Sequence, residues 1–212
     1  KILKIFDVLG LSWYLIGFGF LIVGYVVVMT KPQGDIQRLF GKYAIYSMLL
    51  FGTLRFTALN YPQWEVAVML GFRLAAVIFA PPMFVKFFLN FPVRRKILDK
   101  KWFIPSLYIL NGLVGILLIL NFTFGNFLPI GLLLFVGGIP IMFFVSGLFI
   151  FASSYYRHVP KSRRSQLRPI LISVAIGVTT LTYIVLVLWV NPFAMFLNPV
   201  LLLPASLLAV VP

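Results

Sequence analysis

Residues 65–96 read EVAVMLGFRLAAVIFAPPMFVKFFLNFPVRRK, an apolar run that closes in a cluster of basic side chains. Apolar blocks of roughly 20 residues have the length that a helix needs to cross the ~30 Å hydrocarbon core of a bilayer. The whole chain shares this character, since 62% of its 212 residues are hydrophobic, 10% are charged and its mean hydropathy is +1.07. Soluble domains are about 45–50% apolar and about 25% charged. We therefore exclude a soluble globular fold and predict a polytopic helical membrane protein.

Turn signals divide the apolar sequence into blocks that predict an all-α transmembrane bundle with six full spans and a truncated seventh. The six full spans are expected at residues 6–29, 39–59, 65–91, 102–121, 127–154 and 169–189. The seventh block, at residues 199–212, would reach only ~21 Å as a helix. We therefore expect residues 1–212 to form a single transmembrane domain and the chain to be a fragment of a longer protein.

Basic residues are concentrated on alternate connections between the blocks. Fourteen of the 18 lie in or beside the first, third and fifth connections, and the second, fourth and sixth contain none. By the positive-inside rule the basic connections are cytoplasmic and the N-terminus is outside, although Lys1 and Lys4 then lie outside as well. This topology predicts a multi-pass protein of the bacterial cytoplasmic (inner) membrane.

The basic connections also predict the partners of the chain, which are the bilayer and the anionic lipids of its cytoplasmic face. The loop before the sixth span lacks a nucleic-acid-binding fold, so no nucleic acid is expected. A homodimer or a larger membrane complex is left open. The residues expected to contact lipid headgroups are Arg94, Arg95, Lys96, Lys100, Lys101, Arg157, Arg163, Arg164 and Arg168.

The residue types argue against several functions. The chain has no cysteine, which excludes disulfides, thiolate metal sites and iron–sulfur clusters. Its single histidine, His158, lies in a basic loop, so a pair of axial haem ligands is lacking and a solvated loop histidine is the expected role. Carboxylates are scarce near the spans, which disfavours coupled transport. We expect no metal, no cofactor and no catalytic residues, and hence no enzyme.

Charged residues inside the spans are the candidate functional positions. Arg73 lies eight residues into the third span, where a central arginine costs ~2.5–3.5 kcal/mol on insertion scales and usually faces a bundle interior or a partner. One hypothesis is an outer-leaflet pocket in which Arg73, with Arg55, Asn60 and Glu65, binds an anionic ligand or a peptide carboxylate. The alternative is structural: backbone carbonyls or polar side chains satisfy Arg73, while Arg55 extends to the interface.

Prolines and small residues predict how the helices bend and pack. The pair Pro81-Pro82 in the third span and Pro140 in the fifth remove intrahelical hydrogen bonds, so they permit kinks that are either hinges or ordinary membrane-helix features. Small residues four positions apart, Ala76 and Ala80 in the third span and Ser173 and Gly177 in the sixth, predict close helix contacts.

Two short motifs resemble a known family. The sequence Phe-Phe-Leu-Asn-Phe-Pro at 87–92, followed by Arg-Arg-Lys at 94–96, and the sequence Arg-Ser-Gln-Leu-Arg-Pro at 164–169 are similar to the membrane-sensor regions of bacterial two-component histidine kinases of the competence quorum-sensing receptor type. Related regions are fused to serine phosphatases. The resemblance implies a signal-transduction domain whose last helix leads to a cytoplasmic output module.

The expected function is therefore a membrane-embedded sensor that transmits an extracytoplasmic or intramembrane signal to a cytoplasmic module. The alternative is a non-catalytic accessory subunit of a larger membrane assembly, such as a respiratory or photosynthetic complex. An uncoupled transporter is a weaker third option, because the sequence shows no polar cavity.

Overall fold

The computed structural model describes residues 8–53, 63–123 and 129–190, and within them the chain is all-helical without strands. This confirms the all-α prediction for the described part of the chain. The predicted seventh span lies outside the described residues, as do Arg55 and Asn60. The helices are α1 (Val8–Thr30), α2 (Asp35–Thr53), α3 (Gln63–Asn90), α4 (Phe103–Thr123), α5 (Ile130–His158) and α6 (Lys161–Val190), with a short 3₁₀ helix at Lys96–Asp99 before α4.

Several helices are longer than the apolar blocks that predicted them. Helix α6 begins at Lys161, whereas the apolar block begins at residue 169, and α5 continues to His158. Apolar length reports the part of a helix that fits a hydrocarbon layer, and charged side chains such as Lys and Arg are good helix formers that extend the helix beyond it.

Within the described ranges, two helical stretches are long and apolar enough to cross a membrane, Ala67–Asn90 in α3 and Phe135–His158 in α5. Shorter apolar stretches occupy Tyr14–Thr30 in α1 and Phe103–Leu118 in α4. The length and composition of α3 and α5 are consistent with a membrane protein.

Helix α3 is the centre of the bundle and packs against α2, α4 and α5, while α1 packs on α2 and α6 on α5. Helices α2 and α3 are antiparallel, since Tyr43 meets Phe84 and the earlier residue Phe40 meets the later residue Phe87. Helices α3 and α5 run parallel to each other. Their contacts advance together along the chain, from Phe84 with Phe144 to Phe88 with Phe151.

Aromatic rings fill the core where α2, α3 and α5 meet. Phe84 lies 4.8 Å from Phe88 and 5.0 Å from Phe144 between ring centroids, and Phe88 stacks on Phe151 at 4.8 Å. Aromatic pairs at these separations stabilise a fold by more than their buried area alone would give. On the same helix, Ala76 and Ala80 are both buried, in agreement with the predicted close contact.

Candidate functional site

The double proline of α3 is matched by an asparagine on the neighbouring helix. Pro81 and Pro82 lack the N–H groups that would bond the carbonyls four residues earlier, which belong to Val77 and Ile78. The Asn111 side chain of α4 donates to both of these carbonyls, with Nδ2 2.7 Å from the Val77 oxygen and 2.8 Å from the Ile78 oxygen. One buried amide therefore satisfies both carbonyls that the prolines leave without an intrahelical donor.

The hydrogen bonds from Asn111 determine how the proline pair affects α3. α3 continues as one helix from Gln63 to Asn90 through both prolines, and Asn111 is fully buried against it. The two carbonyls accept hydrogen bonds from α4, so the interruption in the hydrogen bonding of α3 lies at a contact with a neighbouring helix. Sequence reasoning identified the prolines but missed Asn111. The available signal was an amide inside an apolar span, which usually faces another helix.

Arg73 makes a polar contact near the opposite end of α3 from Asn90. Its Nη2 donates to the backbone carbonyl of Thr53, the last residue of α2, and the arginine is half-buried. This contact joins α3 to the last described turn of α2. The structure thus provides the carbonyl contact foreseen in the structural alternative for Arg73.

Among the other residues of the predicted pocket, the structure describes Glu65 and places it away from Arg73. Glu65 lies on α3 eight residues before Arg73, which corresponds to ~12 Å along the helix axis. Arg55 and Asn60 fall outside the described residues. The described part of the pocket therefore consists of Arg73 on the α2 terminus and Glu65 at the start of α3.

The basic connections lie at one end of the bundle, which we call the basic end. There the N-terminal part of α2 meets the C-terminal part of α3, with the Phe40 and Phe87 rings 5.3 Å apart. The segment after α3 reaches the C-terminal part of α5, because Arg95 contacts Ser153 and Ser154. The three connections between α1 and α2, α3 and α4, and α5 and α6 therefore share this end.

Arg95 joins the α3–α4 connection to α5. Its Nε donates to Ser154 Oγ at 3.1 Å and its Nη2 to Ser153 Oγ at 3.2 Å, while Nη1 lies 3.5 Å from His158 Nε2. Ser154 is fully buried. Arg95, expected from the sequence at lipid headgroups, is thus also an internal bridge between two elements.

Arg164 caps the C-terminus of α5 from the first turns of α6. Its Nε donates to the Val159 carbonyl at 3.0 Å and its Nη2 to the Tyr156 carbonyl at 2.7 Å. The guanidinium lies 5.9 Å from the centroid of the Tyr155 ring, and the Tyr155 hydroxyl donates back to the Arg164 carbonyl at 3.3 Å. These reciprocal contacts fix the turn between α5 and α6.

The other predicted headgroup residues differ in their surroundings. Arg94 forms an ion pair with Asp99 at 3.0 Å, in which both side chains are well exposed, and Lys100 lies over the Trp102 ring. Exposed basic side chains of the predicted set comprise Lys96, Lys100, Lys101, Arg157, Arg163 and Arg168. They give the basic end a positively charged outer surface.

Two recesses are present in the described surface. The first, of about 470 Å³, lies beside α3 between α2 and α4, where Phe79 is flanked by the rings of Tyr46 and Tyr108, with Lys42 at one side. The second, of about 300 Å³, lies at the basic end and includes Arg95. No group of three or more His, Cys, Asp or Glu residues that could hold a metal ion occurs in the part of the chain that the structure describes.

These observations define an all-helical bundle with a central helix held by polar contacts at three levels. Comparison with models of known protein families, with curated proteins and with solved structures finds no match to the chain.

Proposed function

We propose that the chain is a multi-pass domain of the bacterial inner membrane with six full spans, an N-terminus outside and the basic end in the cytoplasm. The exposed apolar side chains of the outer helices support this proposal. Helix α1 exposes Leu15, Phe18 and Ile22, and α4 exposes Ile109 and Leu113. Contiguous apolar surface of this kind is disfavoured in water and expected against lipid. Positive charge concentrated at one end is what the positive-inside rule requires of a cytoplasmic face.

Within this membrane, we infer that the domain is a sensor that couples its outer end to its cytoplasmic end. The observation that carries this inference is the set of polar contacts along α3 and its following connection. Arg73 holds α2 near the outer end, Asn111 holds α3 to α4 at the prolines, and Arg95 holds the connection to α5 near the cytoplasmic end. A change at one level therefore has a continuous packed route to the others.

The proposed mechanism begins with an anionic ligand or a peptide carboxylate at the outer end. Such a ligand would compete with the Thr53 carbonyl for the Arg73 guanidinium, because carboxylate is the better acceptor for a bidentate arginine. Binding would favour a bundle in which α2 and α3 are less tightly joined. A shift of α3 would reach α5 through Arg95 and α6 through the Arg164 turn. Helix shifts of about 1–2 Å are typical of such transitions.

The sequence resemblance to histidine-kinase sensor regions supports the same proposal. The basic segment at 94–96 is the one that contains the Arg95 bridge, and the segment at 164–169 begins with the Arg164 cap. Both motifs therefore coincide with contacts that join helices at the basic end. In a sensor, these are the contacts that would pass a change toward a cytoplasmic module.

Topology is tested by cysteine labelling, since the chain has no native cysteine to remove. Single cysteines replace Lys101 and Lys161 at the basic end and Gln63 and Pro129 at the opposite end. In spheroplasts, a membrane-impermeant maleimide should label Q63C and P129C directly, and K101C and K161C only after permeabilisation. Labelling of all four positions in intact spheroplasts contradicts the six-span topology.

Coupling is tested with the full chain in nanodiscs, carrying spin labels at cysteines introduced for Val93 and Arg157 near the basic end. Arg73→Leu should change the distance between the labels by on the order of 2 Å, whereas Arg73→Lys, which keeps the cation, should leave it as in the parent. Phe72→Leu, at an exposed neighbouring position, is the matched control. Arg73→Gln replaces Arg73→Leu if the latter does not purify as a monodisperse species. An unchanged distance in Arg73→Leu, or in Arg73→Gln where it replaces Arg73→Leu, would refute the coupling and favour an accessory subunit.

A further inference from the structure

The recess at the basic end has a polar part and an apolar part. Its polar lining residues are Arg95, Lys96 and Ser153, and its apolar lining residues are Leu89, Ile97, Phe149 and Ile150. It has a volume of about 300 Å³ and lies where the α3–α4 connection meets α5. We call it the basic recess.

The charge of the basic recess is positive and is not neutralised by its own walls. Among the residues that the structure describes, no carboxylate lines it, and Asp99, the acidic residue of the same connection, forms its ion pair with Arg94. Lys96 is exposed. The internal contacts of Arg95 use one N–H on each guanidinium nitrogen, so each terminal nitrogen carries a second N–H that can donate to an incoming oxygen.

Polarity changes along α5 in the direction expected for a membrane interface. Ser153 lies five residues before the end of the helix, and Phe149 lies four residues deeper, which corresponds to ~6 Å along the axis. The Phe149 side chain is 75% exposed and Ile150 lies beside it in the wall. A ligand that fits this gradient has an anionic group at one end and a hydrocarbon chain at the other.

We propose that the basic recess binds one anionic phospholipid from the cytoplasmic leaflet, and this proposal rests on the membrane embedding given above. The phosphate contacts Arg95 and Lys96, and the first part of an acyl chain lies along Phe149 and Ile150. Arginine and phosphate match in geometry, and a basic residue at this level is attracted to anionic headgroups. Since Arg95 also holds Ser153 and Ser154, the bound lipid ties the α3–α4 connection to α5.

The test measures phosphatidylglycerol binding to the full chain by native mass spectrometry in a mild detergent. Lys96→Gln should weaken the apparent affinity about fivefold, the factor expected for one basic residue at an anionic surface. Lys31→Gln removes the same charge from the basic end at an exposed position outside the recess, and it should leave the affinity within twofold of the parent. Phe149→Ala should also weaken binding, because it removes the exposed part of the apolar wall.

Three outcomes would overturn the proposal. Equal losses in Lys96→Gln and Lys31→Gln would indicate diffuse attraction rather than a site. Equal binding of phosphatidylcholine would show that the negative charge is not recognised. Competition by inorganic phosphate at the concentration of the lipid would assign the recess to free phosphate. Cysteine labelling tests the membrane embedding separately, so a failure of the embedding is distinguishable from a failure of the recess.

Discussion

The pairing of Asn111 with the double proline leads to a quantitative prediction. Asn111→Leu, which keeps a similar side-chain volume, removes the donors to the Val77 and Ile78 carbonyls. The prolines prevent α3 from supplying replacements. Hydrogen bonds between membrane helices contribute ~0.6 kcal/mol on average and at most ~1.7 kcal/mol, so two of them amount to roughly 1–3 kcal/mol.

One feature of the site reduces that figure. Asn111 Oδ1 is buried and has no hydrogen-bond partner among the described residues. Leucine removes this oxygen, which recovers part of its desolvation cost. We therefore expect a loss near the lower end of the range, about 1–2 kcal/mol.

The decisive measurement is a double-mutant cycle between Asn111 and the prolines. In a Pro81→Ala/Pro82→Ala background, the alanine N–H groups can bond the two carbonyls, so Asn111→Leu should cost less than half of what it costs in the parent. Unfolding free energies are obtained in bicelles by steric trapping. The reasoning is refuted if Asn111→Leu costs the same in both backgrounds, because the amide would then act independently of the prolines.

Two further contacts give predictions with matched controls in the same assay. Gly24 faces Ala44 so closely that an added Cβ has no room, so Gly24→Ala should destabilise the α1–α2 pair by about 1–3 kcal/mol. Gly19 has open space around it, so Gly19→Ala should stabilise α1 by about 0.5–1 kcal/mol. A loss of stability at both positions would contradict the close approach of α1 and α2. Arg164→Ala should lower the free energy of unfolding by about 1–3 kcal/mol, because two carbonyls at the α5 terminus lose a charged donor. Arg163 is exposed, so Arg163→Ala should change the free energy of unfolding by at most about 0.5 kcal/mol. Equal effects of the two substitutions would argue against the cap.

Apolar blocks predicted the order of the six described helices but not where each helix ends. Lys161 and His158 lie in helices that continue past the apolar blocks, because helix formation follows backbone propensity and capping while the apolar count follows the thickness of a bilayer. Block lengths therefore located the helices along the chain more reliably than they located the helix termini.

The core could not be separated from the surface by hydrophobicity. Phe88 is 2% exposed and Phe149 is 75% exposed, although both are phenylalanines on predicted spans. In water, the apolar face of a helix marks the core, but in a bilayer both the core and the lipid favour apolar side chains. The spacing of small residues was more informative at Ala76 and Ala80, which are both buried, than at Ser173 and Gly177, which are partly buried.

The candidate site was predictable only as single residues. Arg73 was identified from its depth in a span, and Arg95 and Arg164 from the charge of their connections, but their partners were not. The Arg95 contacts with Ser153 and Ser154 join residues 58 and 59 positions apart, and their register depends on how α3 packs beside α5. A single sequence does not determine that register.

Polar side chains determine the register in which the helices of this bundle pack. In the proposed membrane embedding, apolar side chains gain little by exchanging lipid for another helix, so phenylalanine packing alone leaves several registers similar in energy. The Asn111 amide nitrogen can donate to both proline-freed carbonyls in one register, because a one-residue slip moves both oxygens by about 1.5 Å along the axis and by about 100° around it. Asn111 therefore fixes α4 against α3, and Arg95 and Arg164 fix the basic end against α5. In the proposed sensor, a signal that changes the packing would have to exchange these contacts rather than slide the helices past one another, which favours two discrete arrangements over a continuous one.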